Sequence, residues 1–220
     1  MSPANIWIKI CGNTSLEDAQ LAADSGANAV GFVFAPSPRR VTPAQVTAIV
    51  PHLAATLEKI GVFVDAAFDE IESTVLASGL TGVQLHFDAS PDLSAQLRTR
   101  FGPTFRIVRV IHFDSESTAN AATVLRDRSI DAVLVDSRTA AAVGGTGKSF
   151  NWTLAAATLF QSAAPKHLVA AGGLNPENVA EAIATLHPWG VDVVSGVEAS
   201  PGLKDPAKVR AFVANVRAGR

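Results

Sequence analysis

Cysteine occurs once in these 220 residues, at position 11, where it ends the run IWIKIC. A thiolate is a compact base, with an unperturbed pKa near ~8.5. A free cysteine is ordinarily just a small buried hydrophobe. What gives Cys11 a second reading is its place at the end of a strand-like run, directly before Gly12 and a helix cap. Lys9 stands two residues back and shares its face on an extended chain, where its charge would favour the thiolate. Asp136 ends DAVLVD in the same way, on the face of Leu134. It can exchange a proton there, or simply cap a helix. His86 ends GVQLH, and a strand-end histidine is as often a hydrogen-bonded wall residue as a catalyst. Asp192 is a candidate second acid, although it lies on the face opposite Ser195 unless a bulge turns it. Arg39 and Arg40, adjacent in APSPRRVTP, carry planar guanidinium forks that match a carboxylate. A solvated pair is the plainer reading. Arg109 shares a face with Ile107 and Ile111 and is expected to point inward.

Two glycine-rich stretches suggest an anion site. GGLNPEN (172–178) opens a helix, and SGVEASPG (195–202) follows the next strand-like run. Glycine lets backbone N–H groups approach an anion with no Cβ in the way, and a helix N-terminus adds free donors. Gly172, Gly173, Ser195 and Gly196 are therefore candidate phosphate ligands. Ordinary tight turns are the alternative for either stretch taken singly.

These residues need a frame that brings strand ends together. Eight β-branched or aromatic runs recur: 6–10, 29–34, 60–64, 82–86, 105–111, 131–136, 167–171 and 191–195. Each is followed by a stretch of helical character, at a spacing of about 27 residues that suits one βα unit. Tandem βα units imply a parallel sheet. Eight of them predict a single-domain (β/α)8 TIM barrel over residues 1–220, with a phosphate site after strands 7 and 8. An open doubly wound sheet is the alternative. Helix starts are marked at Thr42-Pro43, Ser90-Pro91, Asn175-Pro176 and Asp205-Pro206, each a cap residue before proline. Ser15 to Asp18 resembles a capping box, and Gly26 and Gly79 mark helix ends. On strand 1, Ile6, Ile8 and Ile10 should face the helices. Trp7, Lys9 and Cys11 should face the barrel interior, with Cys11 at its C-terminal mouth.

Composition narrows the field. With 48% hydrophobic and 17% charged residues and a net charge of −2, the chain suits a folded enzyme. No basic stripe predicts nucleic-acid binding, and no apolar run approaches the roughly 18 residues of a membrane span. One cysteine forms no internal disulfide, and no Cys/His cluster has zinc spacing, so no metal site is expected. No signal peptide is read at the N-terminus, and a cytoplasmic location is expected.

Taken together, KICG (9–12), GFVFAPSPRRVTP (31–43), GVFV (61–64), VQLH (83–86), LVDS (134–137), GGTGKSFNW (145–152), GGLNPENV (172–179) and SGVEASPGLKD (195–205) resemble the phosphoribosylanthranilate isomerase family of tryptophan biosynthesis. The resemblance runs in order along the whole chain. It implies an Amadori rearrangement of N-(5-phosphoribosyl)anthranilate, with no metal and no organic cofactor. It further implies Cys11 as general base, Asp136 as general acid, and Arg40 as the partner of the anthranilate carboxylate, with His86 in the substrate site. The glycine loops, including Gly145 and Gly147 of GGTG, would hold the 5′-phosphate, and the GGTG loop would cover the substrate. The implied partner is this small molecule, with neither nucleic acid nor membrane, for a monomer or homodimer. Phe87, Val194, Asn151 and Asn13 depart from the usual family pattern, and none of them touches the proposed acid or base. Two alternatives stand beside this reading. One is the related isomerase of histidine biosynthesis, which uses two aspartates, or an enzyme acting on both substrates. The other is a non-catalytic barrel that binds a sugar phosphate, whose expected mark is a lost acid or base.

Overall fold

The structure, a computed structural model, describes residues 6–86, 91–112, 118–136, 155–160 and 166–218. Eight parallel strands close into a barrel in chain order. They are β1 (Trp7–Ile10), β2 (Ala29–Val33), β3 (Glu58–Val64), β4 (Gly82–His86), β5 (Arg106–His112), β6 (Ala132–Asp136), β7 (His167–Ala171) and β8 (Gly190–Val193). Closure is made by β1 against β8, from Trp7 opposite Gly190 to Ile10 opposite Val193. The eight predicted runs are these strands, with ends moved by one or two residues. The open-sheet alternative is excluded.

Helices α1 (Leu16–Asp24), α2 (Pro43–Ile49), α3 (Phe68–Ser78), α4 (Pro91–Phe101) and α5 (Thr118–Arg126) cover the sheet, followed later by helices Val179–Leu186 and Pro206–Ala218. A π-helical turn, Ala156–Phe160, precedes β7. Thr42 makes a full capping box with Gln45, and Pro43 sits in the first turn. Ser15 caps α1 by accepting from the Asp18 N–H, but the return half of the box is missing. The Asp18 carboxylate accepts instead from the Lys204 N–H, at 3.2 Å. Asp205 receives the N–H groups of Ala207 and Lys208. Helix α4 begins at Pro91 as expected, while Ser90 lies outside the described residues. Asn175 makes the cap bond expected of it, but to a single turn rather than to a helix that runs on from Pro176. Asn175 and Asn178 exchange side-chain oxygens for each other's N–H groups, at 2.9 and 3.0 Å. That closes a turn first, and the helix starts only at Val179. Gly79 ends α3 with φ +65, a conformation that favours glycine.

Two apolar layers follow from strand alternation. Ile8, Ile10, Val30, Phe32, Ile107 and Ile111 pack outward against the helices. Trp7, Ala29, Ile60, Val108, Val110, Ala132, Leu134 and Val169 fill the barrel. The assignment of β1 therefore holds. The expectation for Arg109 does not, because its face is the outer one. Its guanidinium turns toward α4, 3.4 Å from the Ser94 hydroxyl. At the N-terminal end of the barrel, Trp7 stacks on Trp189 at 5.2 Å, and His167 stacks on the same indole at 4.2 Å. Arg106, paired with Glu58, lies over the Trp189 ring. These rings floor the barrel and leave its opposite end as the place for chemistry. No helix among the described residues is long and apolar enough to cross a membrane.

Candidate active site

Strand ends deliver the polar residues to one interior. From β1 come Lys9, fully buried, and, just past the strand end, Cys11, 3% exposed. From β4 come Gln84 and His86, from β5 His112, from β6 the buried Asp136, and from β8 the buried Asp192. The Lys9 ammonium donates to Gln84 Oε1 and Asp192 Oδ1, both at 2.8 Å. Asp192 thus points into the barrel, opposite in sense to Ser195, and serves as the counter-charge of Lys9. His112 is the neighbour of Asp136 across the β5–β6 ladder, and its ring lies 6.2 Å from that of His86.

Burial pushes the Cys11 thiol above its ordinary pKa, and Asp192 adds to this. Lys9 pulls the other way, as its position in the sequence suggested, but burial prevails. Burial opposes the charge of Lys9 most strongly, yet Asp192 and Cys11 together hold it above the ordinary lysine value. Space for the sulfur is made by Gly31 on β2, where a Cβ would come within 2.5 Å of Cys11 Sγ.

A second charged cluster holds the main chain around Cys11. The buried Lys204 ammonium donates to the Cys11 carbonyl at 2.6 Å and to Glu198 at 3.2 Å. Arg39 grips the same Glu198 with two N–H groups, at 2.8 and 2.6 Å. Burial opposes ionisation of Glu198, yet Arg39 and Lys204 hold its carboxyl below the usual range. Burial pushes Lys204 down despite Glu198. Arg39 is therefore committed to Glu198, and Arg40 stands exposed at the rim. Glu198, Lys204, Gln84 and His112 join the site without having been expected from the residue pattern. Glu198 and Lys204 lie inside the quoted stretch SGVEASPGLKD. Gln84 and His112 could have been found as the inward neighbours of His86 and of Asp136. Asn13, a departure from the family pattern, is buried and donates to the carbonyls of Ile10 and Gly31, which ties the β1 end to β2.

The loops after β7 and β8 meet at the mouth. Gly172 and Gly173 adopt φ +80 and +68, and Ser195 begins a 3-10 turn, Ser195–Val197. Gly196 allows the contact between the loops, because a Cβ there would be 2.0 Å from the Leu174 carbonyl oxygen. Gly145 and Gly147, with Phe87 and Asn151, lie outside the described residues. The mouth thus combines a thiol, a carboxyl and an imidazole with paired glycine loops and a rim arginine. Such a set can move protons on a small anionic substrate.

Comparison with known proteins agrees with this geometry. The family model "PRAI: N-(5'phosphoribosyl)anthranilate (PRA) isomerase" matches residues 8–215. N-(5'-phosphoribosyl)anthranilate isomerase of Pelobacter propionicus is 44% identical over 209 residues, covering 94% of each chain. A crystal structure of phosphoribosyl anthranilate isomerase with reduced 1-(o-carboxyphenylamino)-1-deoxyribulose 5-phosphate is similar at a TM-score of 0.82. That match has 34% identity and covers 97% of this chain and 99% of the other. A structure of monomers made from the dimeric Thermotoga maritima isomerase has a TM-score of 0.80 at 33% identity, covering 96% of this chain and 98% of that one.

Proposed function

Because the chain belongs to the N-(5'-phosphoribosyl)anthranilate isomerase family, we propose that Cys11 and Asp136 carry the proton transfers of that reaction. The protein is an isomerase of tryptophan biosynthesis and rearranges phosphoribosylanthranilate to 1-(2-carboxyphenylamino)-1-deoxyribulose 5-phosphate. Asp136 gives a proton to the furanose ring oxygen. The C1′–O bond breaks, and the anilino nitrogen lone pair forms the iminium. The Cys11 thiolate then takes the C2′ proton. The C–H electrons become the C1′–C2′ double bond, and the iminium π pair returns to nitrogen as an enolamine. The proton count closes when C1′ gains a proton and the C2′ hydroxyl gives one up. Each bond change is driven by a proton transfer, and the scheme calls for an acid and a base placed apart around the sugar.

Arg40 holds the anthranilate carboxylate through its fork. Gly172, Gly173, Ser195 and Gly196, with Gly145 and Gly147, hold the 5′-phosphate, and His86 contacts the substrate. The chain acts as one barrel domain in the cytoplasm, as a monomer or a homodimer. The dimeric relative from Thermotoga maritima supports the latter, and sedimentation velocity tests it.

One observation carries the reading of the pair. A thiol and a carboxyl, from β1 and β6, both end at the mouth of one closed barrel. The test follows the fluorescence decay of freshly made phosphoribosylanthranilate. Cys11→Ser and Asp136→Asn should each lose orders of magnitude in kcat while keeping the wild-type melting temperature within a few degrees. A Cys11→Ser variant nearly as fast as wild type would remove Cys11 from the role of base.

A further inference from the structure

The hydrogen bonds across the barrel centre have directions that chemistry fixes. An ammonium offers three donors and no acceptor. Gln84 must therefore turn its oxygen to Lys9, 2.8 Å away. Its NH2 group then faces the other way, where Gln84 Nε2 lies 2.9 Å from His86 Nε2. The amide nitrogen only donates, so His86 Nε2 must accept. A neutral imidazole that accepts at one nitrogen carries its proton on the other. Asp192 completes the chain by holding the Lys9 ammonium at 2.8 Å from its far side.

We infer that Lys9, acting through Gln84, fixes His86 as the neutral Nδ1–H tautomer, so that it meets the substrate as an uncharged hydrogen-bond donor. The inference rests on the reading above, in which His86 contacts the substrate. Lys9 and Gln84 are positioning residues. A neutral His86 does not compete with Asp136 as acid, and it keeps a second positive charge away from Lys9.

Several charged or titratable groups surround His86. Asp65, just past β3, and Asp92 of α4 border the same cavity of about 520 Å³ as His86. His112 approaches from β5 with its ring 6.2 Å away. Asp136 of β6 lies beside His112, and Lys9 stands behind Gln84. A carboxylate close to the ring would favour an imidazolium. The Gln84 N–H opposes it, since a proton on Nε2 would set donor against donor.

The experiment is a long-range ¹H–¹⁵N correlation spectrum of the whole protein labelled at its five histidines, with His86 assigned by loss of its signals in His86→Asn. At pH 7, His86 should show a protonated Nδ1 and a bare Nε2. In Gln84→Glu, a carboxylate would accept from both Lys9 and His86. The proton should then move to Nε2, and the His86 titration should rise by about one pH unit or more. Gln84→Met, which keeps the volume and adds no charge, should give a mixture of tautomers and serves if the glutamate variant fails to fold. An Nε2–H or imidazolium signal in the wild type at pH 7 would overturn the inference, as would an unchanged tautomer in both variants. These spectra need no turnover. Loss of the functional reading would show separately, as absent wild-type activity on phosphoribosylanthranilate.

Discussion

Gly31→Ala would test whether Cys11 must sit where it does. Gly31 lies on the inward face of β2, and its missing side chain is the space the sulfur occupies. A Cβ would stand 2.5 Å from Cys11 Sγ, 3.0 Å from Lys9 Cε and 3.1 Å from Cys11 Cα, where ordinary contact begins at 3.4 Å. The shortfall at the sulfur is 3.4 − 2.5 = 0.9 Å, and the nearby Cα leaves no backbone slack to absorb it. The thiol must therefore move by about 1 Å, a misplacement worth about 10²-fold in rate. Overpacking costs about 1–3 kcal/mol, which lowers the melting temperature by about 2–12 °C for a chain of this size. Steady-state kinetics by substrate fluorescence should show kcat down about a hundredfold with KM within a few-fold, since the proposed carboxylate and phosphate contacts lie elsewhere. Gly102→Ala is the control. At φ +82, with no atom within 4 Å of its Cβ position, it adds backbone strain with no contact to the site. It should lose stability and keep kcat. A Gly31→Ala enzyme with kcat within about threefold of wild type would refute the argument that sulfur placement limits the reaction.

Cys11, Glu198 and Gly196 each give further outcomes from the same geometry. Burial raises the Cys11 pKa, so kcat/KM should keep climbing as pH passes the ordinary thiol value of ~8.5. By linkage, the neutral thiol's contribution to stability is complete below the unfolded pKa and fades as pH rises through the folded one, so Cys11→Ser should flatten that alkaline loss in melting scans. Glu198→Gln strips the counter-charge from buried Lys204 and from Arg39 and should cost about 3–5 kcal/mol in urea unfolding. Because the Glu198 pKa is lowered in the fold, its contribution is present above the unfolded carboxylate value and is lost as pH falls through the folded one, an acid limb the variant should lack. Gly196→Ala drives a methyl into the Leu174 carbonyl. It should raise KM and the inhibition constant of inorganic phosphate together, by about tenfold if one or two phosphate hydrogen bonds are lost. Unchanged phosphate inhibition would remove Gly196 from the anion site.

Much of this was legible in the sequence because a barrel repeats one simple unit. Period-two alternation placed Lys9 and Cys11 inside and Ile8 and Ile10 outside. The same rule misassigned Arg109, since strands buried on both faces are apolar on both. Alternation says which residues share a face, but not which face is inside. Asn175 looked like a cap because asparagine before proline usually is one. Its oxygen does accept from the N–H three residues on, but the turn this closes is not continuous with the helix, which starts at Val179, and spacing does not reveal that break. The Arg39–Glu198–Lys204 cluster joins residues 159 and 6 apart along the chain. No periodicity reports a contact made by barrel closure.

The seam between β1 and β8 has a consequence for biogenesis. Lys9 leaves the ribosome 183 residues ahead of its counter-charge Asp192. Until β8 docks, a nascent barrel of seven units would hold an ammonium in its interior with no anion from the eighth strand. An unpaired buried charge costs several kcal/mol, so partly synthesised chains are pushed to stay open, and the last strand brings a compensating charge as well as a sheet edge. The Lys9–Asp192 pair thereby matches charge as well as sheet edge where the first and last strands meet.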